Sequence, residues 1–270
     1  MRKLAPEEFP PPLMEIPEPP EELWVEGKLP NPNEHRFLTV VGSRKYSSYG
    51  KEACEQLISE LTGQPVVIVS GLALGIDTIA HRAALGAGLK TVAFPGSGLD
   101  REVLHPHSNR RLADEIVERG GALISEFPPT YPAGLHTFPR RNRLMAGMAK
   151  GVLIIEAGDK SGTLITARLA TDYNRDVYAL PGSIFSAGSK GTNRLIKQGA
   201  TPIASGRDLL EALGFDVEPE FQPQLNLAEL SPDERKIVEI LTIEPLPRDE
   251  LIRALALPTS TANSLLGIME

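Results

Sequence analysis

Between residues 37 and 213 the chain repeats one pattern, a short, continuous, branched apolar run followed by an amphipathic stretch. The runs fall at 37–41, 66–69, 91–94, 122–125, 152–155 and 177–180. They lack the in–out alternation of a half-solvated strand, which suits parallel strands covered on both faces. Helical periodicity predicts helices over 48–61, 76–87, 109–119, 139–149 and 164–173, with more at 192–198 and 208–213 and a short run at 202–204. Strand–helix–strand connections in one sheet are right-handed. The string must therefore wind into an α/β, Rossmann-like, doubly wound and mostly parallel sheet.

The flanks read differently. Residues 1–34 are a Pro-rich, extended lead-in, because nine prolines in 1–33, including Pro10-Pro11-Pro12, exclude a regular helix. Leu23, Trp24 and Val25 are the residues expected to anchor it. Residues 35–214 form the Rossmann-like domain and 215–228 a linker. Residues 229–270 open on Ser231-Pro232-Asp233-Glu234, a helix start with proline in the first turn and acids at the positive end of the dipole. Helices are expected at 235–241, 248–255 and 259–269. That is the helical half of a winged helix, and the sequence ends where a β-wing would begin, so the expectation is a small, truncated, winged-helix-like all-α segment. Its acidity disfavours nucleic acid as its own ligand.

A composition of 41% hydrophobic and 23% charged residues excludes a wholly disordered chain. No apolar run approaches the roughly 20 residues of a membrane span, and the N-terminus lacks the apolar core of a secretory signal. The lone Cys54 can make neither an intrachain disulfide nor a cysteine-based zinc site, which points to the reducing cytoplasm. The net charge of −7 is uneven: residues 140–200 carry +6, whereas 1–34 carry −5 and 201–270 carry −8. A local positive field can therefore form within an acidic protein.

In an open parallel sheet, ligands bind beyond the carboxyl ends of the strands. Here those ends are Gly42-Ser43-Arg44-Lys45, Ser70-Gly71, Gly96-Ser97-Gly98, Lys160-Ser161-Gly162-Thr163 and Pro181-Gly182-Ser183. Glycines let backbone approach a ligand and helix starts attract anions, so five such loops on one edge point to a phosphate-bearing ligand. Phe138-Pro139-Arg140-Arg141-Asn142-Arg143 sets three arginines at a helix start, against the usual charge preference and suited to gripping phosphate. The competing reading is an internal salt-bridge cluster with Glu126 or Glu156. Neither G-x-G-x-x-G after the first strand nor G-x-x-x-x-G-K-[ST] occurs, which disfavours dinucleotide chemistry and P-loop hydrolysis. Asp77 and His81, spaced i, i+4, read as loop-fixing hydrogen-bonding groups before an acid–base pair. His105 and His107 lack a third metal ligand, and no metal site or cofactor is expected. Cys54 reads as core; Glu126 and Glu156 read as carboxylates that orient arginines.

The chain resembles the DNA-processing protein A (DprA/Smf) family through an ordered series of motifs. These include Gly42-Ser43-Arg44, Ser70-Gly71-x-Ala73-x-Gly75-Ile76-Asp77, Gly96-x-Gly98, Ser125-Glu126-Phe127-Pro128, Phe138-Pro139-x-Arg141-Asn142-Arg143, Ser161-Gly162-Thr163 and Gly191-Thr192-Asn193. The resemblance implies a non-enzymatic protein of natural transformation. Such a protein holds and protects incoming single-stranded DNA and helps load the RecA recombinase in place of single-strand-binding protein, acting as a homodimer. Carried over by motif, Arg44, Arg141, Asn142 and Arg143 become DNA-binding candidates. Gly42, Ser43, Ser70, Gly71, Lys160, Ser161, Gly162 and Thr163 would line the same edge, with Phe138 and Tyr46 as stacking platforms. The runner-up is a nucleoside-monophosphate phosphoribohydrolase-like enzyme; its Gly-Thr-x-x-Glu loop finds Thr166 here, and a hydroxyl cannot replace that carboxylate. A non-catalytic sensor of small nucleotides is the third reading.

Overall fold

The computed structural model describes residues 1–217, 230–243 and 245–269. It divides into two units, Met1–Val217 and Glu218–Glu270.

The first unit is built on nine strands. These are β1 (Arg2–Lys3), β2 (Trp24–Gly27), β3 (Arg36–Val41), β4 (Val66–Ser70), β5 (Lys90–Ala93), β6 (Ala122–Ser125), β7 (Gly151–Ile154), β8 (Asp176–Ala179) and β9 (Thr201–Pro202). One turn, α1 (Pro11–Met14), precedes the helices that alternate with the strands: α2 (Ser48–Ser59), α3 (Ile76–Gly86), α4 (Arg110–Glu118), α5 (Thr137–Met148), α6 (Thr163–Asp172), α7 (Lys190–Lys197) and α8 (Gly206–Ala212). The sheet order is β1-β2-β6-β5-β4-β3-β7-β8-β9. From β3 to β9 every pairing is parallel, while β1 pairs with β2, and β2 with β6, antiparallel.

Both faces of the sheet are covered, which explains the unbroken apolar runs. In β3, Phe37 and Val41 point into one core cluster and Leu38 and Val40 into the other. The first cluster holds residues of α5 and α6; the second holds residues of α2, α3 and α8. Cys54 lies fully buried in the second, and burial pushes its thiol pKa up.

The lead-in is part of this unit. Leu13 and Leu23 are fully buried, and each such side chain contributes roughly 2 kcal/mol. Pro11 and Pro12 fall at the start of α1, where a helix has no use for their missing amides. The chain is extended again at β2, where Val25 pairs with Ile124 of β6. The lead-in thus supplies two strands that the proline count concealed. Helix α5 also starts earlier than expected, at Thr137, which leaves Pro139 inside the first turn.

In the second unit, α9 (Pro232–Ile243), α10 (Arg248–Leu255) and α11 (Thr259–Met269) enclose Ile237, Leu251, Leu255, Ala262 and Leu266. Ser231 and Glu234 cap α9 reciprocally, the Ser231 amide donating to the Glu234 carboxylate at 2.7 Å. The expected linker lies outside the described residues from 218 onward.

Candidate nucleic-acid interface

The sheet reverses direction at its centre. The chain winds outward from β3 through β4 and β5 to β6, then returns to lay β7 on the other side of β3 and winds outward to β9. At such a switch point the loops leaving neighbouring strands part and leave a crevice at their carboxyl ends. A cavity of about 610 Å³ opens there. Among the residues lining it are Gly42, Ser43, Arg44 and Lys45 after β3, Arg141 and Asn142 on α5, and Lys160, Ser161, Gly162 and Thr163 before and at the start of α6.

The β3 loop is pinned against α3. The Ile76 amide donates to the Ser43 carbonyl at 3.2 Å, and Gly75 takes φ +87° with no room for a side chain against the Ser43 carbonyl. Ser43 folds the loop on itself: its hydroxyl donates to the Lys45 carbonyl at 2.6 Å and accepts from the Lys45 amide at 3.0 Å. Arg44 and Lys45 consequently project into solvent. The Arg44 guanidinium lies 5.4 Å from the centroid of the half-buried Phe138 ring, a cation–π contact that orients the charge without neutralising it.

Arg141 forms the floor. It is 4% exposed and donates to the carbonyls of Gly71 and Phe94, and to Asn142 Oδ1 at 3.1 Å. A side chain on Gly71 would overlap this guanidinium, so the glycine is required by close approach. Burial, chiefly, holds the Arg141 pKa down to about 10, which leaves it charged at neutral pH. Asp77 accepts from the amides of Gly71 at 3.1 Å and Ala73 at 3.4 Å, and burial pushes its carboxyl pKa up. It is the only carboxylate among the residues lining the cavity, set against Arg44, Lys45, Arg141 and Lys160. The crevice is therefore a positive field with little acidic chemistry, suited to holding phosphates.

Three expectations are corrected. Arg143 does not reach the cavity: it is 8% exposed, paired with Glu126, and donates to the Glu18 carbonyl at 2.6 Å. On α5 it falls two residues beyond Arg141, and side chains so spaced leave a helix on different sides. Ser70 is fully buried, its hydroxyl donating to the Val40 carbonyl at 2.7 Å, so it joins β4 to β3. Glu156 orients no arginine: it accepts from the Ser47 amide at 2.9 Å and hydroxyl at 2.6 Å, at the start of α2. Glu126 does orient arginines, Arg143 and, at 3.3 Å, Arg140. Asp77 and His81 make no acid–base pair; His81 Nδ1 meets Thr91 Oγ1 at 2.7 Å. Among the described residues no cluster of metal-ligating side chains occurs, and no helix is long and apolar enough to cross a membrane.

Sequence reasoning passed over Leu135 and Ile165, which also line the cavity while 91% and 46% exposed. Nothing in their spacing marks them. Lys45 was legible as the neighbour of Arg44.

Comparison with known proteins decides the family. Residues 2–214 match the family described as DNA recombination-mediator protein A, and residues 221–270 the DprA winged helix domain. The chain belongs to the DNA recombination-mediator protein A family. It is 45% identical over 208 residues to protein Smf of Escherichia coli, covering 77% of this chain and 54% of that protein. It is 46% identical over 178 residues to DNA processing protein DprA of Streptococcus pneumoniae, covering 66% and 62%. The chain thus spans between half and two thirds of the length of these relatives. The crystal structure of S. pneumoniae DprA superposes with a TM-score of 0.72 at 39% identity, over 80% of this chain and 75% of that one. DNA processing protein A of Helicobacter pylori, described for its single-stranded DNA binding mode, gives 0.71 at 29% identity, over 79% and 96%. Within this family the motifs at 42–44, 141–142 and 160–163 converge on one crevice in the present chain.

Proposed function

We propose that this member of the DNA recombination-mediator family binds single-stranded DNA along the carboxyl-end rim without cutting it. The observation that carries the reading is the convergence of Arg44, Lys45, Arg141 and Lys160 on one switch-point crevice containing a single, hydrogen-bonded carboxylate. Single strands are held by a cationic track with stacking surfaces, and Phe138 and the exposed Tyr46 flank the cations. Arg44, Lys45 and Lys160 act directly on phosphates, while Arg141 supplies fixed charge from beneath. Aromatic residues are 5% of the chain, so phosphate contacts dominate and the binding is indifferent to sequence.

In this reading the protein works in the cytoplasm during natural transformation, as a homodimer that shields an incoming strand and passes it to RecA in place of single-strand-binding protein. The family match and the binding mode described for the H. pylori relative support it. The phosphoribohydrolase reading is disfavoured because Thr166, where that class has its glutamate, is 1% exposed and carries no carboxylate.

A competition between single- and double-stranded oligonucleotides at two salt concentrations tests the proposal. With about four phosphates engaged, the logarithm of affinity falls against that of salt with a slope near −3, roughly 0.7 per contact. Equal affinity for both DNA forms, or release of free base from AMP, overturns it.

A further inference from the structure

Arg44 lines more than the main cavity. It also borders a separate groove of about 410 Å³ between α2 and α3, whose walls include Tyr46, Lys51, Glu55, Leu74 and Arg82. Three cations face one carboxylate there. Lys51 approaches Glu55 only at 3.9 Å, too far for a hydrogen bond, and Arg82 makes no ion pair or hydrogen bond among the described residues. Tyr46 and Leu74 are 45% and 52% exposed. Arg82 without an ion pair among the described residues and Lys51 only loosely paired with Glu55, beside an exposed aromatic ring and an apolar side chain, supply the chemistry of single-strand binding, a charged track beside a stacking surface. Arg44 belongs to both walls, so the groove adjoins the crevice at that side chain.

We propose that a bound single strand leaves the rim over Arg44 and descends between α2 and α3, its phosphates held by Lys51 and Arg82 and a base stacked on Tyr46. The proposal rests on the single-stranded DNA reading and extends it: the rim accommodates a short oligonucleotide, and the α2–α3 groove adds length-dependent affinity.

The test is the double variant Lys51→Ala/Arg82→Ala of the full chain. Both residues are exposed, so the fold tolerates the change. Oligothymidines of about 5 and about 15 nucleotides span the range of known site sizes and serve as probes. The expected result is wild-type affinity for the short probe and about tenfold weaker binding of the long one at low salt. The long probe's log–log salt slope should be shallower by about 1.4, at 0.7 per lost phosphate contact. Wild-type affinity and slope for the long probe overturn the groove assignment and leave it to another ligand, such as an acidic protein surface. If the double variant is silent while Arg44→Ala weakens both probes, only the groove falls. If the wild-type protein binds neither probe, the rim reading falls with it.

Discussion

Arg143 separates support from contact, and Arg143→Met measures the difference. The side chains of Arg143 and Glu126 are 9% and 4% exposed, so their ion pair is shielded from water. Removing one partner of a buried pair costs about 3–5 kcal/mol, because the other charge is left uncompensated. Arg140 remains 3.3 Å from Glu126, which places the cost near the lower end, about 3 kcal/mol. The loss of the Glu18 carbonyl's donor works in the same direction. For a unit of this size about 3 kcal/mol lowers Tm by roughly 6–12 °C. The pH dependence fixes the cause. Burial already raises the Glu126 pKa in spite of both arginines, and loss of Arg143 raises it further. A carboxyl whose folded pKa exceeds its unfolded value costs stability above that folded pKa, and the cost fades as pH falls toward the unfolded value. The gap between variant and wild type should therefore narrow from pH 7.5 to pH 5, and adding Glu126→Gln should close part of it at pH 7.5. Scanning calorimetry at both pH values reads the stability, and fluorescence anisotropy below the variant's Tm reads DNA affinity. An unchanged Tm combined with lost binding would refute the reasoning and return Arg143 to the DNA.

Arg44→Ala should do the reverse, leaving Tm unchanged while weakening oligonucleotides of every sequence and reducing the salt slope by about 0.7 in a titration series. Ser47→Ala removes the cap of α2 and one of two donors to Glu156, and should cost about 2 kcal/mol in urea unfolding. His81, pushed down to about 3 mainly by burial, stays neutral in the folded chain while the unfolded chain takes up a proton below about 6.5. Stability should therefore decline by up to about 1.4 kcal/mol per unit as pH falls through that window, and His81→Gln should flatten the decline in pH-dependent unfolding. Cys54 should resist a thiol reagent in the native protein and react only on unfolding, as read by absorbance.

The parallel core was legible because a strand buried on both faces leaves a continuous apolar run, as in Val66–Ser70. The rim was legible because its loops are tied to strand ends, so Gly42, Arg44 and Gly162 were expected on one edge and lie on one cavity. What a linear reading could not supply was the direction of each side chain. Arg141 and Arg143 are two residues apart, yet one underlies the crevice and the other is locked to Glu126. Ser70 and Glu156 sit at strand ends like the binding loops, but bond inward to Val40 and Ser47. Strand β2 was hidden because its pairing depends on Ile124, about a hundred residues away, and β1 because it pairs with β2; neither shows a local period.

The antiparallel pairing of Val25 with Ile124 has a practical corollary for anyone shortening the protein. A chain begun after Gly27 would strip β6 of its only neighbour on that side. Its bare amides and carbonyls would then stand in water beside apolar surface, an invitation to sticky intermolecular pairing. Precipitation of such a trimmed chain would report the loss of this selvedge, together with the Leu13 and Leu23 side chains that the lead-in buries.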